Sequence, residues 1–136
     1  MKNINKFFIG ERELSISNQP YIIAEIGSNF DQDFETACKL IDVAKKSGAD
    51  AVKFQLFKSE ALYPKKDELY NLFKKVELDP KWIPQLSEYC SKIKIDFLAS
   101  AFDPLSLDIL EKNEVIAHKI ASSETTNLLL LNKVAK

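Results

Sequence analysis

The sequence predicts an α/β protein of parallel βα units, half of a TIM (βα)8 barrel preceded by a short β-hairpin. Three observations carry that expectation. Apolar strand-type runs alternate four times with segments whose apolar residues recur at helical spacing, and such repetition gives a parallel sheet with right-handed crossovers. The run Ala51 to Phe57 lacks the clean polar alternation of a half-wet strand and reads as a strand covered on both faces. Each run also ends in polar residues: Glu25, then Lys53 with Gln55, then Ser100, then Lys119 with Ser122 and Glu124. Charged and hydroxyl groups thus converge at the end of the sheet where a βα barrel keeps its active site. A closed barrel needs eight units and about 250 residues, so 136 residues supply half of one, a single partial domain over residues 1–136. A flavodoxin-like open sheet is the alternative at this length. It calls for a fifth strand and a phosphate or nucleotide loop at its switch point, and the three glycines here form no such loop.

In chain order, Phe7-Phe8-Ile9 and Leu14-Ser15-Ile16 flank Gly10-Glu11, which predicts a hairpin over about 6–16. The four βα units occupy about 21–136. Tyr21 to Gly27 is the first strand, and Asp33 caps a helix from Phe34 to Ser47 whose stripe is Ala37, Leu40, Ile41 and Ala44. Gly48 suits the left-handed position that closes it. After the second strand, Lys58 to Leu78 is a long polar connection with a helix around Asp67 to Lys75, more than a βα turn needs; it reads as a lid or as a solvated insertion. Asp79-Pro80 and Asp103-Pro104 are cap-then-proline helix starts on either side of the third strand, Ile95 to Ser100. The fourth strand is expected over Val115 to Ala121, with a last helix capped by Asn127.

Composition sets the limits. With 46% hydrophobic and 29% charged residues the chain is of ordinary globular make-up. Nineteen basic against 20 acidic residues, a net charge of -1, offer no nucleic-acid surface. Lys65-Lys66 and Lys74-Lys75 read as solvated faces. Cys38 and Cys90 fall in helices without metal or redox spacing, as free thiols in a reducing cytoplasm do. Met1 to Lys6 has no apolar core of a signal peptide, and no run reaches the length of a membrane span. The expectation is a cytoplasmic protein with no membrane partner.

Four stretches taken together, Tyr21 to Asn29, Gly48 to Gln55, Phe97 to Asp103 and His118 to Glu124, resemble the successive signatures of the sialic acid (N-acetylneuraminate or nonulosonate) synthase family. The resemblance spans about Lys6 to Lys136 and covers the N-terminal half of that family's catalytic barrel. It implies condensation of phosphoenolpyruvate with N-acetylmannosamine or a related amino sugar to a nonulosonic acid. Position by position, it implies that Lys53 and Lys119 bind the phosphate and carboxylate of phosphoenolpyruvate, with Ser100 and Ser122 donating hydroxyl hydrogen bonds. A trianion needs fixed positive charge, and lysines at adjacent strand ends supply it. Glu25 is implied as the base that helps water add to C2, and Gln55 and Glu124 as the residues facing the amino sugar. The resemblance also implies a divalent metal, manganese or magnesium, held by a pair of histidines in the other half, so that no metal ligand is expected in this chain and the 136 residues alone are expected to be inactive. A homodimer is expected, since a half-barrel has open edges.

The sequence departs from the family's Asn-His-x-Gly at Asn29-Phe30-Asp31-Gln32, from its Ser-Thr-Pro-Phe-Asp at Ala99-Ser100-Ala101-Phe102-Asp103, and from a glycine at Ser123. Other readings of the same residues stand beside the enzymatic one. Lys53 and Lys119 would serve equally as ion-pair partners of Glu25 or Glu124, Ser100 and Ser122 as strand-end caps, and His118 as a packed or hydrogen-bonded residue on the opposite strand face. The whole chain would then be a non-catalytic, self-associating half-barrel. Another phosphoenolpyruvate-dependent aldol-type synthase is a third reading.

Overall fold

The structure, a computed structural model, describes residues 6–136; most of the Met1 to Lys6 stretch lies outside the described residues. Strands β1 (Lys6–Ile9) and β2 (Arg12–Ser15) pair antiparallel across Gly10-Glu11. Gly10 has φ +55°, the left-handed backbone that a two-residue hairpin asks of its first loop residue when that residue is glycine. The rest of the chain is βα units. Strands β3 (Ile23–Gly27), β4 (Ala51–Leu56) and β5 (Asp96–Ala101) form a parallel sheet in the order β3-β4-β5. Helix α1 (Phe34–Lys46) follows β3, α2 (Ser59–Leu62), α3 (Glu68–Lys74) and α4 (Ile83–Ile93) follow β4, and α5 (Pro104–Lys112) follows β5. A 3-10 turn, Ser122–Glu124, and α6 (Leu128–Val134) complete the chain. This is the expected α/β architecture of parallel βα units behind a hairpin.

The fourth expected strand differs. Val115 to Ala121 contributes a single parallel bridge, His118 to Ala99, in place of a ladder. The segment leaves α5 through Glu114, whose φ is +51°, and among the described residues it has a pairing neighbour on one flank only, so little holds it to strand geometry. The bridge nevertheless continues the sheet order beyond β5.

Capping starts the helices where the sequence places them. Asp33 accepts from the Thr36 amide at 2.7 Å, Asp103 from the Ser106 amide at 2.8 Å, and Asn127 from the Leu130 amide at 3.2 Å, each satisfying a donor that the first turn would otherwise leave open. Asp79 does the same for the 3-10 turn Pro80–Trp82 that leads into α4. Gly48 stands at φ +86°, past the end of α1.

The pleat sorts the sheet residues onto two faces. Val52, Phe54 and Leu56 of β4 and Phe97, Ala99 and Ala101 of β5 join one hydrophobic cluster with Ala37 and Ile41 of α1, Ile83, Leu86 and Cys90 of α4, and Leu107 and Leu110 of α5. Phe30 is completely buried in that layer, with its ring centroid 6.1 Å from Phe54 and 6.0 Å from Trp82. The loop around it bends through left-handed residues at Asp31 (φ +49°) and Gln32 (φ +55°), a backbone that a glycine at position 32 adopts without strain. The other face carries Ala51, Lys53 and Gln55 of β4 against Asp96, Leu98 and Ser100 of β5; it corresponds to the interior of a barrel.

The two ends of the sheet are finished differently. At its N-terminal end, Asp50 ion-pairs with Arg12 of the hairpin and accepts from the Ile22 amide at 2.7 Å. Tyr21 donates its hydroxyl to Asp96 at 2.5 Å, and burial together with that carboxylate pushes the phenol well above its usual range. At the C-terminal end, the connection after β4 is folded back as α2 and α3. Phe57 packs edge-on against Phe73 and Phe102 at 5.5 and 5.8 Å.

Candidate functional site at the C-terminal end of the parallel sheet

Lys53 sits on the central strand with a ladder on each side, and it is only 5% exposed. An ammonium taken out of water needs a counter-charge. Glu25 supplies it. The two residues are register partners on β3 and β4, and the Lys53 Nζ is ion-paired to Glu25 Oε2. On the other flank Lys53 Nζ reaches Ser100 Oγ at 3.5 Å. The ion-pair reading of Lys53 is thus realised with Glu25 as the partner.

A bulge shapes the edge of this group. Glu25 pairs with Lys53 but Gly27 pairs with Phe54, so one extra residue is accommodated between them. Gly27 takes φ +60°, and a Cβ added there would lie 3.4 Å from Glu25 Oε1 and 3.8 Å from Gln55 Cδ. The absent side chain is what lets the Glu25 carboxylate and the Gln55 amide lie close together. Glu25 keeps 49% of its side chain exposed, Gln55 is half-buried, and Ser100 is buried. Ser28 Oγ, one residue past the bulge, is buried with no hydrogen-bond partner among the described residues.

The remaining expected site residues lie on the next segment. Lys119 follows the His118 bridge to Ala99 by one residue; a pleat continued through it would set it on the Lys53 face, but the pairing stops at His118. It is exposed, and its ammonium forms no ion pair or hydrogen bond among the described residues. Ser122 is exposed, with its carbonyl accepting from the Thr125 hydroxyl at 2.8 Å. Glu124 is buried: its carboxylate accepts from Ser123 Oγ at 3.1 Å and from Asn127 Nδ2 at 2.8 Å. Asn127 therefore caps α6 with its oxygen and fixes Glu124 with its nitrogen. Glu25, Lys53 and Ser100 form one contacting group, with Gln55 in register with Ser100 and near Gly27; among the described residues no ion pair or side-chain hydrogen bond joins Lys119, Ser122 or Glu124 to it. His118 is on the opposite face, bonded through Nε2 to Glu111 at 2.5 Å, as a hydrogen-bonded residue.

One charged centre at this end was not legible as such. Glu77 is buried where the β4–α4 connection returns, and it accepts from the Ser59 amide at 2.8 Å, the Ser59 hydroxyl at 2.6 Å, and Lys58 and Lys74 at 3.2 Å. Burial pushes its carboxyl up, but the Ser59 hydroxyl and amide and the two lysines outweigh it and hold the pKa down at about 2. Lys74 is thus paired, not simply solvated. In sequence Glu77 is one acid after a pair of lysines, and nothing in the spacing marks it.

Among the described residues no group of three or more His, Cys, Asp or Glu side chains gathers as metal ligands do, and no helix is long and apolar enough to cross a membrane. Cys38 and Cys90 are free thiols; burial raises both, Cys90 to about 12.

Comparison with known proteins places the chain in a family. An uncharacterized protein of Methanocaldococcus jannaschii is 43% identical over 133 residues, 98% of this chain and 40% of its own length. The N,N'-diacetyllegionaminic acid synthase of Campylobacter jejuni is 40% identical over 129 residues, 85% of this chain and 39% of its own. The crystal structure of N-acetylneuraminic acid (sialic acid) synthetase from Leptospira borgpetersenii in complex with citrate superposes with a TM-score of 0.90 at 35% identity, covering 96% of this chain and 46% of that one. The chain therefore spans about two fifths of the length of the curated relatives it matches. The model of the NeuB family matches residues 40–136, and with it and these relatives in agreement, the chain belongs to the NeuB family.

Proposed function

We propose that this chain is the phosphoenolpyruvate-binding half of a nonulosonate synthase, a transferase of carbohydrate biosynthesis that condenses phosphoenolpyruvate with N-acetylmannosamine or a related amino sugar. The observation that carries the reading is Lys53: a lysine held 5% exposed in the middle of the central strand, with its ammonium beside a carboxylate and reaching toward the Ser100 hydroxyl near the C-terminal end of β5. A buried cation reaching that end of a βα sheet is where an anionic substrate binds in this architecture. Lys53 and Lys119 hold the phosphate and carboxylate, Ser100 and Ser122 donate to them, and Gln55 and Glu124 orient the sugar aldehyde toward C3 of phosphoenolpyruvate. Glu25 receives the proton of the water that adds at C2.

The divalent metal expected from the resemblance finds no ligand cluster among the described residues, and no step here is routed through it. The 136 residues by themselves do not carry out the condensation. In the complete protein we place the reaction in the cytoplasm and in a homodimer. Leu105, Leu128 and Leu129, 61 to 80% exposed on α5 and α6, offer apolar surface for a further layer of protein.

The test is direct. Complete protein supplied with phosphoenolpyruvate, an N-acetylated amino sugar and manganese or magnesium yields a nonulosonic acid and phosphate, and Glu25→Gln lowers turnover while phosphoenolpyruvate still binds. Turnover unchanged in Glu25→Gln removes it from the chemistry; no product from any such sugar overturns the reading.

A further inference from the structure

We infer that Asn127 is a positioning residue: its side-chain amide holds the Glu124 carboxylate in the orientation in which Glu124 meets the amino sugar. This rests on Glu124 being a sugar-facing residue, as proposed above, and adds what fixes that carboxylate before the sugar arrives.

The arrangement is local, built between Ala121 and Leu130, so further chain packed around it adds burial and removes none. The Glu124 amide donates to the Ala121 carbonyl at 2.9 Å, and the Glu124 carbonyl accepts from the Asn127 amide at 3.0 Å. This turn brings the two side chains together. Asn127 Nδ2 donates to Glu124 Oε2 at 2.8 Å, while Asn127 Oδ1 accepts from the Leu130 amide at 3.2 Å. Each bond fixes the other. With the oxygen turned to the Leu130 N–H, only the NH2 faces the carboxylate; the flipped amide would set oxygen against oxygen and donor against donor. Leu130, the anchor, is itself completely buried. Glu124 is buried too, and a carboxylate taken out of water needs donors. Ser123 Oγ supplies one at 3.1 Å, but a hydroxyl proton rotates about its bond, whereas the planar Asn127 amide is held at both ends. A carboxylate has roughly four acceptor positions, so these two donors leave capacity for the hydroxyl and amide donors of an N-acetylated amino sugar. Asn127 thus has two separable tasks, because a serine caps a helix about as well as an asparagine but has no group that reaches Glu124.

The experiment compares wild type, Asn127→Ser, Asn127→Ala, Glu124→Gln and the double variant Glu124→Gln, Asn127→Ser in the complete protein. It reads kcat/KM for the sugar, the phosphoenolpyruvate dissociation constant and the urea midpoint. The sugar is N-acetylmannosamine or, where the assay above turns over another N-acetylated amino sugar better, that one. Positioning predicts that Asn127→Ser and Asn127→Ala lower kcat/KM alike, by about tenfold, the low end of what one hydrogen bond to a charged group carries. Asn127→Ser keeps the cap and is the more stable of the two, and phosphoenolpyruvate affinity stays at the wild-type value in both. In the Glu124→Gln background Asn127→Ser adds no further loss of that size, since no carboxylate is left to hold. Wild-type kcat/KM in Asn127→Ser overturns the inference, because the cap is then all that Asn127 supplies. So does a parallel loss of phosphoenolpyruvate affinity, or an equal loss from Asn127→Ser in both backgrounds. Should Asn127→Ala not fold, Asn127→Ser and the double variant carry the comparison. Unaltered kcat/KM in Glu124→Gln is a different failure, that of Glu124 as a sugar-facing residue, and takes the inference with it.

Discussion

Glu25 on β3 and Lys53 on β4 are register partners whose carboxylate and ammonium meet on the interior face of the sheet. Around that contact the chain has placed a bulge, a glycine and a serine: Gly27 leaves room for Glu25 and Gln55, and Ser100 flanks the lysine from β5. The opposite end of the sheet is closed by Arg12 with Asp50 and by Tyr21 with Asp96. One end is thus fastened by an ion pair and a phenol–carboxylate hydrogen bond, and the buried ammonium of Lys53 reaches from the middle of the sheet toward the other.

Glu77 makes stability depend on pH. Its carboxyl titrates at about 2 in the folded chain against an ordinary 4.5, so the folded state binds the proton less readily than the unfolded one. The contribution is present in full above about 4.5 and is lost as pH falls toward about 2; it is on the order of 3 kcal/mol. Equilibrium unfolding of the complete protein followed from pH 6 downward should show this loss, and Glu77→Gln should remove it while lowering stability at neutral pH. An identical pH profile for the variant would contradict the assignment.

Gly27→Ala places a Cβ where φ is +60° and where Glu25 Oε1 is 3.4 Å away. The left-handed backbone alone costs about 1 to 2 kcal/mol. Urea unfolding should show a lower midpoint with an unchanged slope, and turnover should fall because Glu25 is pushed from its place. A midpoint equal to wild type would mean that the bulge relaxes freely.

Asp103 caps α5 through both carboxylate oxygens, accepting from the Ser106 amide at 2.8 Å and the Ser106 hydroxyl at 2.6 Å. Asp103→Ala should therefore cost about 1 to 2 kcal/mol, and Asp103→Asn distinctly less, since it keeps an acceptor for the amide. Equal losses in the two variants would show that the charge, not the cap, matters.

Much of this was legible because it is local. Asp33, Asp103 and Asn127 are read as caps from the residues that follow them, and Gly48 from the helix that it ends. Gln55 and Ser100 stand near the ends of β4 and β5, as the strand runs suggest, whereas Glu25 and Lys53 are mid-strand and meet by pairing in register. What was not legible depends on residues far apart in the chain. Val115 to Ala121 has the composition of a strand, but β-propensity measures fit to a pleated, half-buried surface, and only His118 finds a partner, in Ala99. Glu77 becomes a centre only because Ser59, 18 residues earlier, is brought beneath it. The bulge at Ile26 is likewise a property of two strands and not of one.

The proposed binding of the anionic groups of phosphoenolpyruvate by Lys53 and Lys119 is measured by the phosphoenolpyruvate dissociation constant of the complete protein in Lys53→Ala, Lys119→Ala and the double variant. If each lysine makes a charge-assisted contact, worth roughly 1.5 to 3 kcal/mol, each single variant should weaken binding by about tenfold to a hundredfold. In the double variant, phosphoenolpyruvate binding should be lost over any practical concentration range. Wild-type affinity in the double variant would contradict the account and return Lys53 to the part of a structural ion-pair partner of Glu25.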